Sequence, residues 1–144
     1  MPSIDAIRDD FTLLDEWDDR YRYILELGKA LEPMGAAGHD EANRVRGCVS
    51  QVWLERTRAG PGEAIGWRGD SDSHLVRGLI AIAIALHSGK APAEALAVDA
   101  MAAFRGLGLE QHLTPQRSNG VRAMIERMRA DARSALGARQ GVAS

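Results

Sequence analysis

Cys48 is the only cysteine in this chain of 144 residues, and its thiol is the strongest nucleophile that the sequence offers. Gly47 precedes it and permits a sharp bend, so we expect the side chain to project from a tight loop between two extended segments. Arg44 and Arg46 lie close by, and positive charge favours the nucleophilic thiolate. Three apolar neighbours can shelter a reactive sulfur product from water: Val49, Val52 and Trp53. An inert cysteine that packs as a small hydrophobe is the alternative, and these local features leave it open.

Other kinds of reactive site have weaker support in the sequence. One cysteine cannot form an intrachain disulfide or supply the ligand set of an iron–sulfur cluster. A cysteine peptidase needs a histidine beside Cys48, and none of the four histidines stands in a recognisable motif. The carboxylates form no known metal-binding motif, and neither lysine lies in a segment like a pyridoxal-phosphate site. We therefore expect no metal and no bound cofactor.

Arg117 is the most unusual of the arginines. It falls in the first turn of the last predicted helix, where the helix dipole favours anions over cations. This mild conflict suggests that Arg117 pairs with an acidic loop or approaches the thiol. An ordinary exposed arginine is the alternative.

The composition is that of an ordinary globular protein, with 45% hydrophobic and 26% charged residues and a net charge of -2. This balance gives no support for non-specific binding to nucleic acid or to an anionic membrane. The charged residues within 1–43 are mostly acidic, however, and those after Pro115 are mostly basic. The asymmetry indicates either an oriented protein partner or two solvated helix faces.

The first ten residues are acidic and lack the apolar region of a signal peptide. The most apolar run, residues 75–86, contains Arg77 and is shorter than the roughly 20 residues that a membrane span needs. We therefore expect a cytoplasmic protein without a membrane segment, folded as a single domain over residues 1–144.

A small sheet is predicted next to Cys48. Residues 50–58 and 63–68 are rich in strand-forming side chains, and the turn signal at residues 59–62 joins them as a hairpin. Residues 43–46 are a further extended segment. The sequence therefore predicts an antiparallel sheet of about three strands.

Helices are predicted before and after this sheet in the sequence. Apolar residues recur at helical spacing in residues 4–14 and 17–31. The capping residues 70–73 open a helix that is apolar almost all round and should form the core, and Asp99 can cap a shorter one. A last helix starts at Thr114 and Pro115. The predicted fold class is α+β, with several helices packed on one face of the sheet.

Four segments carry the most distinctive patterns of the chain: residues 17–31, 43–53, 70–79 and 113–120. The second reads Arg-Gly-Cys-Val-Ser-Gln-Val-Trp around Cys48, the third begins Asp-Ser-Asp-Ser-His, and the fourth is Leu-Thr-Pro-Gln-Arg-Ser-Asn-Gly. In this order they resemble the SufE family of sulfur-acceptor proteins over nearly the whole chain. One small departure is Val49, where glutamine is common in that family.

The resemblance implies a fold shared with the IscU-type scaffold proteins and a sulfur-accepting role for Cys48. The implied activity is that of a sulfurtransferase-like persulfide carrier that stimulates a cysteine desulfurase, not that of a stand-alone enzyme. By the same resemblance, Gly47 shapes the loop and Ser50 and Gln51 are hydrogen-bond partners near the sulfur. Asp72 and Arg117 are further candidates for the surroundings of the site or the partner-facing surface.

The resemblance also implies two partners: a SufS-type cysteine desulfurase, which is a pyridoxal-phosphate enzyme, and a SufB-containing cluster-assembly complex. No residue decides between SufE-like and CsdE-like paralogues, which serve different desulfurases. The sequence leaves monomer and homodimer open. It also leaves three alternatives to sulfur transfer: a pure interaction or scaffold protein, a thiol peptidase and a redox sensor.

Overall fold

The computed structural model describes residues 2–58 and 63–143, and over these ranges the chain forms six α-helices and one two-stranded antiparallel sheet. Short 3-10 turns lie at Ala36–Gly38 and Glu110–His112. The elements are α1 (Ile4–Thr12), α2 (Trp17–Lys29), β1 (Val52–Arg58), β2 (Ile65–Ser71), α3 (His74–His87), α4 (Pro92–Leu96), α5 (Ala100–Gly106) and α6 (Pro115–Ala143). The predicted α+β class is confirmed.

Helix α3 occupies the centre of the hydrophobic core, as its apolar sequence predicts. Ser73 caps it, with its Oγ accepting from the Val76 N–H at 3.3 Å. Residues 79–83 in its middle are almost completely buried. Each large apolar side chain buried there contributes about 1.5–3 kcal/mol to stability. Helix α2 crosses α3 at Gly78, where a Cβ would lie 2.2 Å from the backbone oxygen of Ile24, so the close approach requires glycine.

The sheet pairs β1 with β2 in a register that sets Val52 opposite Ser71 and Leu54 opposite Gly69. Val52 and Leu54 are completely buried on the face that α3 covers. Gly69 lets the two layers meet, because a Cβ there would lie 2.5 Å from Cγ2 of Ile80. The predicted hairpin turn at residues 59–62 lies outside the described residues.

The predicted number of about three strands is wrong for the described part of the chain, where the sheet has two. The segment before the cysteine is extended enough to make one isolated bridge, between Arg44 and Trp53. The backbone then turns at residues 46–47, before a longer ladder can form. The third segment therefore attaches to β1 without becoming a strand.

Helix α6 closes the core and reaches the cysteine. Thr114 accepts the Arg117 N–H on its Oγ1 at 3.2 Å, as the predicted helix start requires. The predicted inward-facing residues are buried: Val121, Met124, Ile125 and Met128. None of the described helices combines the length and the apolar character that crossing a lipid bilayer requires.

Candidate functional site

Cys48 lies in a short loop of residues 47–51, which we call the Cys48 loop. Just outside it, the Val45 N–H donates to the Val52 oxygen at 2.9 Å. At its far end, the Gln51 N–H donates to Oδ1 of Asp72 at 3.0 Å, and the Asp72 N–H donates to the Gln51 oxygen at 3.4 Å. Both ends of the loop are thus pinned to the sheet, so any movement of Cys48 is confined to the few residues between them.

Gly47 supplies the bend that the sequence predicts. Its φ of +90° lies in the left-handed region that side chains rarely adopt. A Cβ at this position would lie 3.5 Å from the Cβ of Ala123, which is ordinary contact, so the backbone conformation and not space favours glycine. The bend brings the loop against α6.

The Cys48 side chain is half-buried and faces α6. Its Sγ donates to the backbone oxygen of Gly120 at 3.6 Å, a contact between residues 72 apart in sequence. A Cβ on Gly120 would lie 3.6 Å from Sγ, so the glycine leaves the helix surface bare in front of the sulfur.

A cavity of about 210 Å³ opens beside the thiol. Buried apolar side chains line part of it, and polar side chains and the loop itself line the rest. Its lining residues are Cys48, Val49, Ser50, Val52, Val76, Leu79, Thr114, Gln116, Arg117, Gly120 and Met124. The cavity can therefore receive a small, soft group attached to the sulfur.

Two opposing effects act on the acidity of the thiol. Burial raises the pKa of Cys48, because it disfavours the charged thiolate, and the positive charge of Arg44 lowers it by a smaller amount. The predicted thiolate-favouring charge is thus present but does not prevail in the resting structure. Arg46 does not take part: its guanidinium pairs with Glu41 at 2.5 Å on the surface.

The structure brings some of the predicted site residues to the sulfur and others only to the loop. Ser50 and Arg117 line the cavity. Gln51 enters the site through its backbone, which Asp72 holds, so Asp72 anchors the loop. Trp53 does not shelter the sulfur as predicted. Its ring instead contacts the ring of His39 and the Arg44 guanidinium.

Several cavity residues were not predicted from the sequence as site residues. Gly120 and Met124 follow the predicted Arg117 at helical spacing and place one face of α6 against the cysteine. A glycine inside a helix was the available signal, since it lowers stability unless close contact requires it. Val76 and Leu79 of α3 gave no separate signal, because core packing alone explains apolar residues in such a helix.

Three of the four histidines contact residues other than Cys48. His39 contacts Asp70 at 2.7 Å, His87 contacts the Ala83 oxygen at 2.7 Å, and His112 stacks on Trp17 with ring centroids 4.1 Å apart. Over residues 2–58 and 63–143, no three His, Cys, Asp or Glu side chains form a group that could hold a metal ion. None of these three histidine contacts involves Cys48.

Comparison with known proteins places the chain in a family. The model of the family described as SufE, the Fe-S metabolism associated domain, matches residues 5–132. An uncharacterized SufE-like protein of Rhizobium meliloti (strain 1021) is 47% identical over 138 residues, which cover 94% of this chain and 99% of the relative. One from Rhizobium etli is 48% identical over 135 residues, with 92% and 91% covered.

The fold has a counterpart among solved structures. The solution structure of a hypothetical protein from Thermus thermophilus superposes with a TM-score of 0.75 and covers 93% of this chain and 96% of its own. Its sequence is 23% identical, so it supports the fold alone. Together with the family match over most of the chain, these similarities show that the protein belongs to the SufE family, whose domain is associated with iron–sulfur metabolism.

Proposed function

We propose that the protein accepts sulfane sulfur from a cysteine desulfurase as a persulfide on Cys48 and relays it to iron–sulfur cluster assembly. The observation that carries this proposal is the position of the thiol, which faces a small cavity from a loop pinned at both ends. The expected donor is a SufS-type desulfurase, and the expected acceptor is a SufB-containing complex. Family membership supports a role in iron–sulfur metabolism. The identities of the donor and the acceptor are part of the proposal.

The transfer step needs only thiol chemistry. The Cys48 thiolate attacks the outer sulfur of the donor's persulfide, a new sulfur–sulfur bond forms on Cys48, and the donor's sulfur–sulfur bond breaks. The donor cysteine leaves as a thiolate, and the proton released by Cys48 goes to solvent or to that leaving group. No external oxidant or reductant is consumed.

The cavity suits the product of this step. A volume of about 210 Å³ exceeds that of one water-sized group, roughly 30 Å³, several times, so the outer sulfur fits beside α6. Val52, Val76 and Leu79 give it a wall that excludes water, and the bare backbone of Gly120 leaves room directly in front of Sγ. Shelter of this kind slows the loss of the persulfide to stray thiols and oxidants.

The resting thiol is not poised to react by itself. It donates to the Gly120 oxygen, and burial raises its pKa, so most of it is protonated near neutral pH. A partner that draws the loop away from α6 removes both effects. Val49, which is 79% exposed beside Cys48, and Arg117 at the cavity rim are the side chains that such a partner meets first.

The experiment is mass spectrometry of the full chain after incubation with a SufS-type desulfurase and cysteine. We expect a mass gain of one sulfur atom that dithiothreitol reverses and that Cys48→Ser abolishes. Absence of this gain from wild-type protein, with the desulfurase active, contradicts the proposal. Stimulation of the desulfurase that survives Cys48→Ser would instead support a pure interaction protein, and cleavage of a peptide would support a peptidase.

A further inference from the structure

We propose that Arg44, held on the face of Trp53, is the positioning residue that raises the reactivity of Cys48, and that Arg46, which is nearer in sequence, is not. The inference deepens the proposed function and rests on it for its biological meaning. Its subject, the reactivity of one thiol, can be measured without any sulfur transfer.

The backbone of Arg44 is fixed on both sides. Arg44 makes the isolated bridge to Trp53 of β1. The residues before and after it are bonded to the same strand: the Leu54 N–H donates to the Asn43 oxygen at 2.9 Å, and the Val45 N–H donates to the Val52 oxygen at 2.9 Å. Arg44 therefore stays at the base of the Cys48 loop even when the loop itself moves.

The side chain of Arg44 is also held. Its guanidinium carbon lies 5.6 Å from the centroid of the Trp53 ring, within the range of a cation–π contact. The indole ring supports the flat guanidinium, so the charge remains near the loop and does not extend freely into solvent.

Trp53 is braced in turn by His39, whose ring meets it edge-on with centroids 4.8 Å apart. Nε2 of His39 contacts the Asp70 carboxylate at 2.7 Å, and Nδ1 contacts the Gly35 oxygen at 3.0 Å. Both partners are acceptors, so these contacts favour the protonated ring and raise the pKa of His39. Asp70 also forms an ion pair with Nε of Arg77 at 3.3 Å. This network keeps the indole in place under Arg44.

Arg46 differs from Arg44 in its partner. It pairs with Glu41, and about three quarters of each side chain is exposed, so its charge is compensated and screened by solvent. Within the described residues, Arg44 forms no salt bridge. Its positive charge is therefore free to stabilise a thiolate, and it is the charge that lowers the pKa of Cys48 against the effect of burial.

The test compares Arg44→Gln with Arg46→Gln in the full chain. Each change removes one positive charge, from a position four or two residues from Cys48. The rate of alkylation by iodoacetamide is measured from pH 6 to pH 10, together with thiolate absorbance. We expect Arg44→Gln to slow alkylation at pH 7 by roughly two- to tenfold and to move the titration midpoint to higher pH. Arg46→Gln should retain the wild-type profile.

An equal effect of the two substitutions, or a larger effect of Arg46→Gln, overturns the proposal. Arg44→Lys keeps the charge and should recover most of the wild-type rate, whereas a purely structural role would predict no such recovery. Trp53→Leu keeps both arginines but removes the support under Arg44, and it should shift the profile in the same direction as Arg44→Gln. A thermal unfolding curve for each variant identifies any that fails to fold. If Arg44→Gln does not fold, the alkylation rate of Arg44→Lys decides whether the charge at this position matters.

The two proposals fail separately. If alkylation depends on Arg44 but wild-type protein gains no sulfur from a desulfurase, the proposed function is wrong and the tuning of the thiol stands. If sulfur is accepted and alkylation is indifferent to Arg44, the proposed function stands and Arg44 has no such role.

Discussion

Sγ of Cys48 and the backbone oxygen of Gly120 lie 3.6 Å apart, which makes the thiol a weak hydrogen-bond donor to the N-terminal part of α6. The same glycine leaves the helix surface in front of the sulfur bare. Gly120 thus accepts the hydrogen bond of the resting thiol and leaves space for the sulfur that is added to Cys48. A persulfide anion has no such proton to donate, so loading should weaken the contact between the loop and the helix.

Gly120→Ala should separate the stability of the protein from its retention of sulfur. The new Cβ makes only ordinary contact with Sγ at 3.6 Å, and replacing glycine inside a helix stabilises the protein by roughly 0.5–1 kcal/mol. The added methyl group takes the space intended for the outer sulfur, so the persulfide should form less fully and be lost faster to dithiothreitol. Mass spectrometry over time and a thermal unfolding curve measure the two effects.

Gly137→Ala is the matched control on the same helix. Its Cβ meets nothing within 4 Å, so it should bring a similar gain in stability with no change in the persulfide. Equal persulfide lifetimes in the two variants would show that the space in front of Gly120 does not hold the sulfur.

Gly47→Ala tests the bend that presents the cysteine. A side chain at φ +90° costs roughly 1–3 kcal/mol, so the variant should unfold at a lower urea concentration or relax its loop. Gly89 has a φ of +81° at the end of α3, away from the cavity, so Gly89→Ala should lose stability similarly. Only Gly47→Ala should also change the alkylation rate of Cys48. An equal change in the alkylation rate of Cys48 in both variants would show that the bend at Gly47 has no specific effect on the thiol.

How far the sequence predicted the site depends on where each signal lies. The capping segment at residues 70–73, in which Ser73 is the cap, and Asp99 were recognised because capping depends on the next few residues alone. Gly47 was recognised because a bend is local. Gly120 was not predicted as a site residue and Trp53 was placed beside the sulfur, because their contacts are made with other segments of the chain. The sulfur faces a carbonyl 72 residues away, and the indole turns toward His39 on the preceding segment. The prediction of a third strand was wrong for a different reason, because the turn at residues 46–47 ends the pairing with β1 after a single bridge.

Asp72→Ala should release the far end of the Cys48 loop. Removing the carboxylate leaves the Gln51 N–H without its side-chain acceptor, and the loss of such a bond costs about 1 kcal/mol at an exposed site. Hydrogen exchange at the amide of Gln51 should become faster, and alkylation of Cys48 should rise as the loop opens. Asp72→Asn retains an amide oxygen at the same place and should behave much more like the wild type. Unchanged exchange in Asp72→Ala would exclude Asp72 as the anchor of the loop.

His87 should make the protein less stable in mild acid. It is almost fully buried, its Nδ1 contacts the Ala83 oxygen, and its Nε2 has no hydrogen-bond partner among the described residues. Burial lowers its pKa from 6.5, and Lys90 and Arg129 lower it further, although the Ala83 contact opposes them. As the pH falls through 6.5, His87 is therefore protonated in the unfolded chain but not in the folded chain. Stability falls as the pH drops below 6.5 toward the lower pKa of the folded state.

Urea unfolding between pH 5 and pH 8 measures this slope, and His87→Gln should remove it while the amide still donates to Ala83. His39 provides a control of opposite sign, because its contact with Asp70 raises its pKa above 6.5. The stability that His39 adds is complete below pH 6.5 and is lost as the pH rises through the raised pKa of the folded state. His39→Gln should therefore cost most near pH 6 and least in alkali, whereas His87→Gln should help most near pH 5. If the change in stability caused by each substitution did not vary with pH, neither histidine would exchange a proton on unfolding in the way that its surroundings require.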